Sequence, residues 1–365
     1  MDKAASLVAD LLAFIAMDDC TDDQFNQLAL RLFAYQYECN APFRSFCQRR
    51  GASLRNVKSW RDIPAVPIDA FKAMELRSEP ASPAERVFMT SGTTGRAARG
   101  RHFHPALEVY DLSMKRYFSQ RFMQGVQRME MGVLFPDEQA MPNSSLAHYL
   151  ALAKTEFGTP DSRYFLTPEG LDMPGLCAAL QASEQSGKPF ALLGASFSLV
   201  HVMDALREMG RSFHLPAGSR ILDTGGYKGQ SRELPLEAFY AELSQLLGVP
   251  RSLCINMYGM TELSSQIYDQ NILSYYTDGS SNYLKATPSW VRSVFLDPAS
   301  LTPVADGEQG VIAHYDLANW NSCLAILTED LGVRTDSGYE LNGRAKGAEA
   351  RGCSIAVDEV MAANA

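Results

Sequence analysis

Ser91-Gly92-Thr93-Thr94-Gly95 follows the apolar run Val87-Phe88-Met89, and these residue types in this order suit the holding of an anion. The glycines carry no Cβ and accept positive φ, so consecutive backbone N–H groups can turn toward one point. Thr90, Ser91, Thr93 and Thr94 offer hydroxyl donors at the same place, and Arg96, Arg99 and Arg101 follow with positive charge. The same composition also makes ordinary turns, because Ser, Thr and Gly are common loop residues. A second segment, Tyr258-Gly259-Met260-Thr261-Glu262, follows the apolar Leu253-Cys254-Ile255 and reads as another turn at the end of a buried strand. Two such turns on strand ends can meet over one phosphate-bearing ligand.

Turns of this kind need a scaffold, and the chain offers a recognisable one. Leu7, Leu11, Leu12 and Ile15 fall on one helix face, and Phe25, Leu28, Leu32 and Tyr35 follow at helix spacing behind Thr21-Asp22-Asp23, a helix-opening signal. Ile63-Pro64-Ala65-Val66-Pro67 breaks these helices ahead of the first turn. Strand-like runs then alternate with helical patterns: Gly132 to Phe135, the helix Ser145 to Lys154, Phe190 to Leu193, the helix Leu199 to Met209, and Arg220 to Leu222. That alternation predicts an α/β fold with mainly parallel strands and flanking helices, its ligand crevice at the carboxyl ends of the strands. Trp290 to Ile312 predicts a smaller antiparallel element.

Bulk properties narrow the function classes. With 365 residues, 46% of them hydrophobic, the chain can bury a substantial core, and its net charge of −9 argues against a general nucleic-acid binder. Ala4 to Met17 is too short and too interrupted for a membrane span, and it lacks the features of a secretory signal. The seven cysteines form no CxxC pair, which predicts free thiols and a cytoplasmic location. There is no Gly-x-x-x-x-Gly-Lys-Ser/Thr and no Gly-x-Gly-x-x-Gly. Gly194-Ala195-Ser196-Phe197-Ser198 lacks the closing glycine of a nucleophile elbow. His102 and His104 read as members of a surface strand, with no third metal ligand in the sequence.

The remaining segments resemble those of the adenylate-forming superfamily of acyl-CoA synthetases, carrier-protein adenylation domains and beetle luciferases. Thr90-Ser91-Gly92-Thr93-Thr94-Gly95 resembles its phosphate loop and Tyr258-Gly259-Met260-Thr261-Glu262 its second signature. The resemblance implies that Tyr258 lies against adenine, Thr261 contacts the α-phosphate and Glu262 helps hold Mg²⁺, with ATP as cosubstrate. Asp223-Thr224-Gly225-Gly226-Tyr227 is similar to the strip lining the adenine and acyl pocket. Thr328-Glu329-Asp330-Leu331-Gly332 and Gly343-Arg344 resemble the segments that supply a ribose-binding aspartate and arginine, Asp330 and Arg344 here. The implied layout is a catalytic domain over residues 1–342, helical over 1–85, and a short tail over 343–365 with the superfamily's carboxyl-terminal lid absent or vestigial.

That tail, Arg344 to Ile355, closely resembles the end of the LuxE-type acyl-protein synthetases. In that family a cysteine near the carboxyl terminus accepts the acyl group from acyl-adenylate as a thioester and delivers it to a fatty-acid reductase; Cys353 is the matching residue. Arg351 and Lys346 would favour its thiolate, and Gly347 and Gly352 would let the tail swing. On its own chemistry Cys353 also suits a small buried residue of a terminal strand. The expected function is ATP-dependent activation of a carboxylic acid, a fatty acid by resemblance, with transfer to Cys353 and on to a partner protein. The alternative is a ligase that passes the acyl group to CoA, a carrier-protein thiol or an amine, with Cys353 structural.

Overall fold

The computed structural model describes residues 3–82, 85–90, 99–227 and 229–345. The chain divides into two compact units, one of Tyr117–Gly259 with Ile267–Leu284 and one of Met1–Arg116, Met260–Gln266 and Lys285–Ala365.

The middle unit is built on parallel strands. Arg163–Tyr164, Glu130–Leu134, Phe190–Ala195, Arg220–Thr224 and Cys254–Tyr258 lie side by side in that order, and Ile267–Asp269 runs antiparallel to the last. Phe190–Ala195 is buried at every position, the state that a continuous apolar run requires. The connecting helices are Ser145–Phe157, Met173–Ser186, Ser196–Glu208 and Leu236–Leu247. Two differ from the sequence expectation: the first continues three residues past Lys154, and the third starts at Ser196, ahead of Leu199. No side chain caps that third helix, so nothing local marks where the strand passes into it. Gly248 ends the fourth helix at φ 70°, and a Cβ there would lie 2.9 Å from His214 Cα; the position is closed to side chains on both counts.

The other unit joins amino-terminal helices to an antiparallel sheet. Strands Val291–Leu296, Gln309–Asp316, Ala325–Thr335, Gly338–Arg344 and Lys285–Ala286 lie in that order, so the antiparallel element expected at 290–312 is present and extends to Arg344. Val66–Pro67 adds a parallel strand beside Ile326 and Leu327. A separate ribbon pairs Arg86–Met89 with Arg101–His104. The surface-strand reading of His102 and His104 is overturned, because they are only 1% and 3% exposed. Their shared face packs on Phe71, Phe88 and Tyr110 instead of water.

Helix Asp22–Cys39 starts where its signal stands. Thr21 Oγ1 accepts from Gln24 N at 3.2 Å and Gln24 Oε1 accepts from Thr21 N at 2.9 Å, a reciprocal cap. Phe25, Leu28, Leu32 and Tyr35 are buried as their spacing predicts, and that burial aims two polar residues inward. Gln36 Nε2 donates to the Asn319 and Trp320 carbonyls at 2.7 and 3.1 Å, and Gln36 Oε1 accepts from Leu324 N at 3.0 Å. Asn40 Nδ2 donates to the Ser322 carbonyl at 3.1 Å. The helix therefore satisfies the buried backbone of the 319–324 loop, for which no sheet partner serves. No described helix is long and apolar enough to cross a membrane.

Gln36→Leu keeps the volume and leaves these buried groups unpaired; urea unfolding should register a loss of about 2 to 4 kcal/mol. A change under about 0.5 kcal/mol would mean that the loop is held otherwise.

Candidate active site

Ser91, Gly92, Thr93, Thr94 and Gly95 lie outside the described residues, but the base of their loop does not. Thr90 N donates to the Gly100 carbonyl at 3.0 Å and Gly100 N donates to Thr90 Oγ1 at 2.9 Å, so this pair closes the ribbon just where the loop leaves it. A Cβ on Gly100 would sit 3.0 Å from Thr90 Cγ2, 3.3 Å from Glu262 Oε1 and 3.5 Å from Phe71 Cβ. The base of the expected phosphate loop and the expected metal ligand are thus direct neighbours. Glycine at 100 is what permits the approach.

Glu262 is 5% exposed, and burial pushes its carboxyl up to about 7 from the usual 4.5, against the opposing help of its own backbone N–H and the positive charges of Lys72 and Arg344. Lys72 is itself paired with Asp69 at 2.5 Å. The backbone beneath Glu262 is clamped by one loop. Asn319 Nδ2 donates to the Glu262 carbonyl at 2.9 Å, and Ser264 N donates to Asn319 Oδ1 at 2.7 Å. Asp316 Oδ2 accepts from Ser264 N and Ser265 N at 3.1 and 2.9 Å, while its Oδ1 accepts from Ser265 Oγ at 2.8 Å. Burial raises the Asp316 carboxyl to about 6, with these hydrogen bonds pulling the other way. Sequence reasoning missed Asp316 and Asn319; Asp and Asn three apart look like any turn.

The expected ribose residues are also brought together. Asp330 and Arg344 face each other on adjacent strands, with Arg344 Nε 3.4 Å from Asp330 Oδ1 and Nη1 3.7 Å from Glu329 Oε2. Asp330 is 8% exposed, a strand residue and not a solvated loop carboxylate.

In the middle unit, Asp223 lies at the carboxyl end of a strand and gathers three elements. Its Oδ2 accepts from Ser196 Oγ at 3.1 Å and Asn256 Nδ2 at 2.8 Å, and its Oδ1 accepts from Tyr240 OH at 2.7 Å. Gly225 follows at φ 71°, and a Cβ on Gly226 would meet nothing within 4 Å. The Tyr227 hydroxyl donates to the Leu234 carbonyl at 3.0 Å. The Tyr258-to-Glu262 signature spans a unit boundary in the chain: Tyr258 and Gly259 close the middle unit, and Met260, Thr261 and Glu262 belong to the other. A separate cavity of about 450 Å³, lined by Trp60, Phe295, Tyr315 and Leu327 among others, includes none of the predicted site residues.

A family model described as acyl-protein synthetase, LuxE, matches residues 3–362. The chain belongs to the LuxE acyl-protein synthetase family. The long-chain-fatty-acid–luciferin-component ligase of Vibrio harveyi is 24% identical over 378 aligned residues, covering 99% of this chain and 95% of that protein. The ligase of the same name from Aliivibrio fischeri is 24% identical over 361, covering 93% and 89%. Among solved structures, 2-hydroxyisobutyryl-CoA ligase in its postadenylation state with 2-HIB-AMP superposes with a TM-score of 0.64 at 14% identity, over 88% of this chain and 67% of that one. Its open conformation with 2-HIB-AMP and CoA gives 0.62 at 14% identity, over 88% and 75%. At such identities the likeness is one of fold, the α/β fold of adenylate-forming ligases. Family and fold together make this LuxE-family chain an adenylate-forming acyl ligase.

A carboxyl held near 7 sets a sign. Between about pH 4.5 and 7 the folded protein keeps a proton on Glu262 that the unfolded chain releases, so this group's share of stability falls as pH rises through that window, by about 3 kcal/mol when complete. Glu262→Gln should therefore raise Tm at pH 8 and change it little at pH 4.5, while removing carboxylate-dependent exchange of pyrophosphate into ATP. An equal Tm change at both values would show that Glu262 does not titrate in this window.

Proposed function

We propose that this ligase activates a carboxylic acid with ATP and stores the acyl group on its own Cys353. A carboxylate oxygen attacks the α-phosphorus, the bond to the β-phosphate bridge breaks and pyrophosphate leaves; the Cys353 thiolate then attacks the acyl carbon and AMP leaves. The observation that carries the reading is the meeting of Thr90 and Gly100, at the base of the 91–95 loop, with the buried carboxylate of Glu262.

The roles are those that the resemblance implies, and the chemistry is consistent with them. Ser91, Thr93, Thr94 and the backbone N–H groups of Gly92 and Gly95 bind the phosphates, while Thr261 donates to the α-phosphate as negative charge gathers there. Glu262 would hold Mg²⁺, whose contribution is to neutralise phosphate oxygens. The residue present fits that ion: Glu262 holds a buried carboxylate beside Thr90 and Gly100, and Mg²⁺ commonly makes do with one or two carboxylates plus phosphate and water. Tyr258, with Gly225, Gly226 and Tyr227, would flank the adenine, and Asp330 with Arg344 would take the ribose hydroxyls.

The acyl group is a long-chain fatty acid by likeness to the two curated relatives, and its onward acceptor a partner such as an acyl reductase. Cys353 lies outside the described residues, within the span matched by the family model. Three of the six described free thiols contrast with it: burial pushes Cys254 up to about 12 and raises Cys47 and Cys323 as well, states unsuited to nucleophilic attack. Free thiols also suit a reducing cytoplasm.

Cys353→Ser should abolish the hydroxylamine-sensitive acyl label formed from radioactive fatty acid and ATP, and leave pyrophosphate exchange within about twofold of wild type. Thioester label persisting on the variant would rule out Cys353 as the acceptor, and undiminished acylation of CoA, a carrier thiol or an amine by the variant, each supplied in turn, would favour direct transfer.

A further inference from the structure

The buried histidine of the ribbon has a bonding pattern that reaches the site. His102 lies on Arg101–His104, the strand that begins directly after Gly100. Its Nδ1 is 2.9 Å from the Thr261 carbonyl and its Nε2 is 3.0 Å from Ser322 Oγ. A carbonyl can only accept, so Nδ1 must carry the proton; Nε2 is then a lone pair that accepts from the Ser322 hydroxyl. One tautomer satisfies both ends. The ring is 1% exposed, with Phe71 edge-on at 5.7 Å and His104 at 4.2 Å between centroids. Burial lowers its basicity to about 4, so the imidazole stays neutral and has no proton to exchange with a substrate at working pH.

We infer that His102 is a positioning residue for acyl activation: its imidazole ties the strand leaving the phosphate-loop base to the Thr261-Glu262 backbone and holds the two in fixed register. The inference rests on the function proposed above. The carbonyl of Thr261 is held by His102 and that of Glu262 by Asn319, so two successive peptide planes are fixed. The Thr261 hydroxyl and the Glu262 carboxylate project from a backbone that cannot rotate. Ser322, on the far side of the ring, is fixed in turn through its own carbonyl by Asn40. The ring thus bridges a loop fastened to the amino-terminal helices and the two residues expected at the α-phosphate and the metal. Misplacing such residues by about 1 Å costs on the order of a hundredfold in rate.

Three variants separate positioning from packing. His102→Asn offers an N–H near the Nδ1 position, His102→Gln offers one near Nε2, and His102→Leu offers neither. In carboxylate-dependent pyrophosphate exchange, Leu and Gln should lower kcat on the order of a hundredfold, while Asn recovers it to within about tenfold of wild type although its Tm falls as far as that of Leu. Equal kcat for Asn and Leu, or wild-type kcat in all three, would overturn the inference. Wild-type protein that exchanged no pyrophosphate with any acid would sink the proposed function instead. A second measurement then still decides the link, because nitrogen NMR of the ¹⁵N-histidine-labelled protein should show the assigned His102 ring as a neutral Nδ1–H imidazole from pH 5 to 8. A neutral Nε2–H form or a titrating ring at His102 would refute it.

Discussion

Residues 262 to 265 are buried outside any strand, with Thr261 half-buried beside them, and the geometry of the site depends on how their peptide groups are satisfied. Side chains do the work of a ladder: Asp316 and Asn319 take the N–H groups of Ser264 and Ser265, and Asn319 and His102 take the carbonyls of Glu262 and Thr261. A buried peptide group left open costs on the order of 1 to 3 kcal/mol, so the clamp is a condition of folding as well as of geometry. Chemistry that needs two side chains placed to within a fraction of an ångström gains that placement from a requirement of stability.

Glu262 runs against the same logic. Its backbone is satisfied, yet its carboxylate is buried at a cost that Lys72 and Arg344 offset only in part. A group arranged this way is poorly accommodated in the free protein and well accommodated once positive charge reaches it. Strain of this type concentrates at functional sites. The adjoining Gly100 leaves room for Thr90 and the carboxylate to lie close together.

Much of this was legible in the sequence wherever the signal was local. Thr21-Asp22-Asp23 marks a helix start, Phe190 to Leu193 a buried parallel strand, and Val87 to Met89 and Cys254-Ile255 the strands ahead of the two expected turns; each is a matter of neighbours within a few residues. Asp330 and Arg344 were legible only by resemblance, and adjacent strands do bring them face to face. The clamp was not legible. Gln36 meets a loop 283 residues away, His102 meets Thr261 across 159 residues, and Asp316 meets Ser265 across 51. Polar side chains at such separations carry no periodicity, and His102 was misread because two histidines on alternating strand positions look like a solvated face. What hides them is that burial of a strand is decided by what packs on it, here Phe71, Phe88 and Tyr110.

The unit that holds the clamp is discontinuous, assembled from the beginning of the chain, a short stretch near residue 263 and everything after Lys285. On a ribosome the amino-terminal helices emerge long before the loop that Gln36 and Asn40 bind, and those amides must wait in water until residue 324 has been made. Contacts of such long range close late and slowly. A nascent chain therefore cannot assemble a working Glu262 from its early parts, and an interrupted translation product carries the signature residues without the means to hold them.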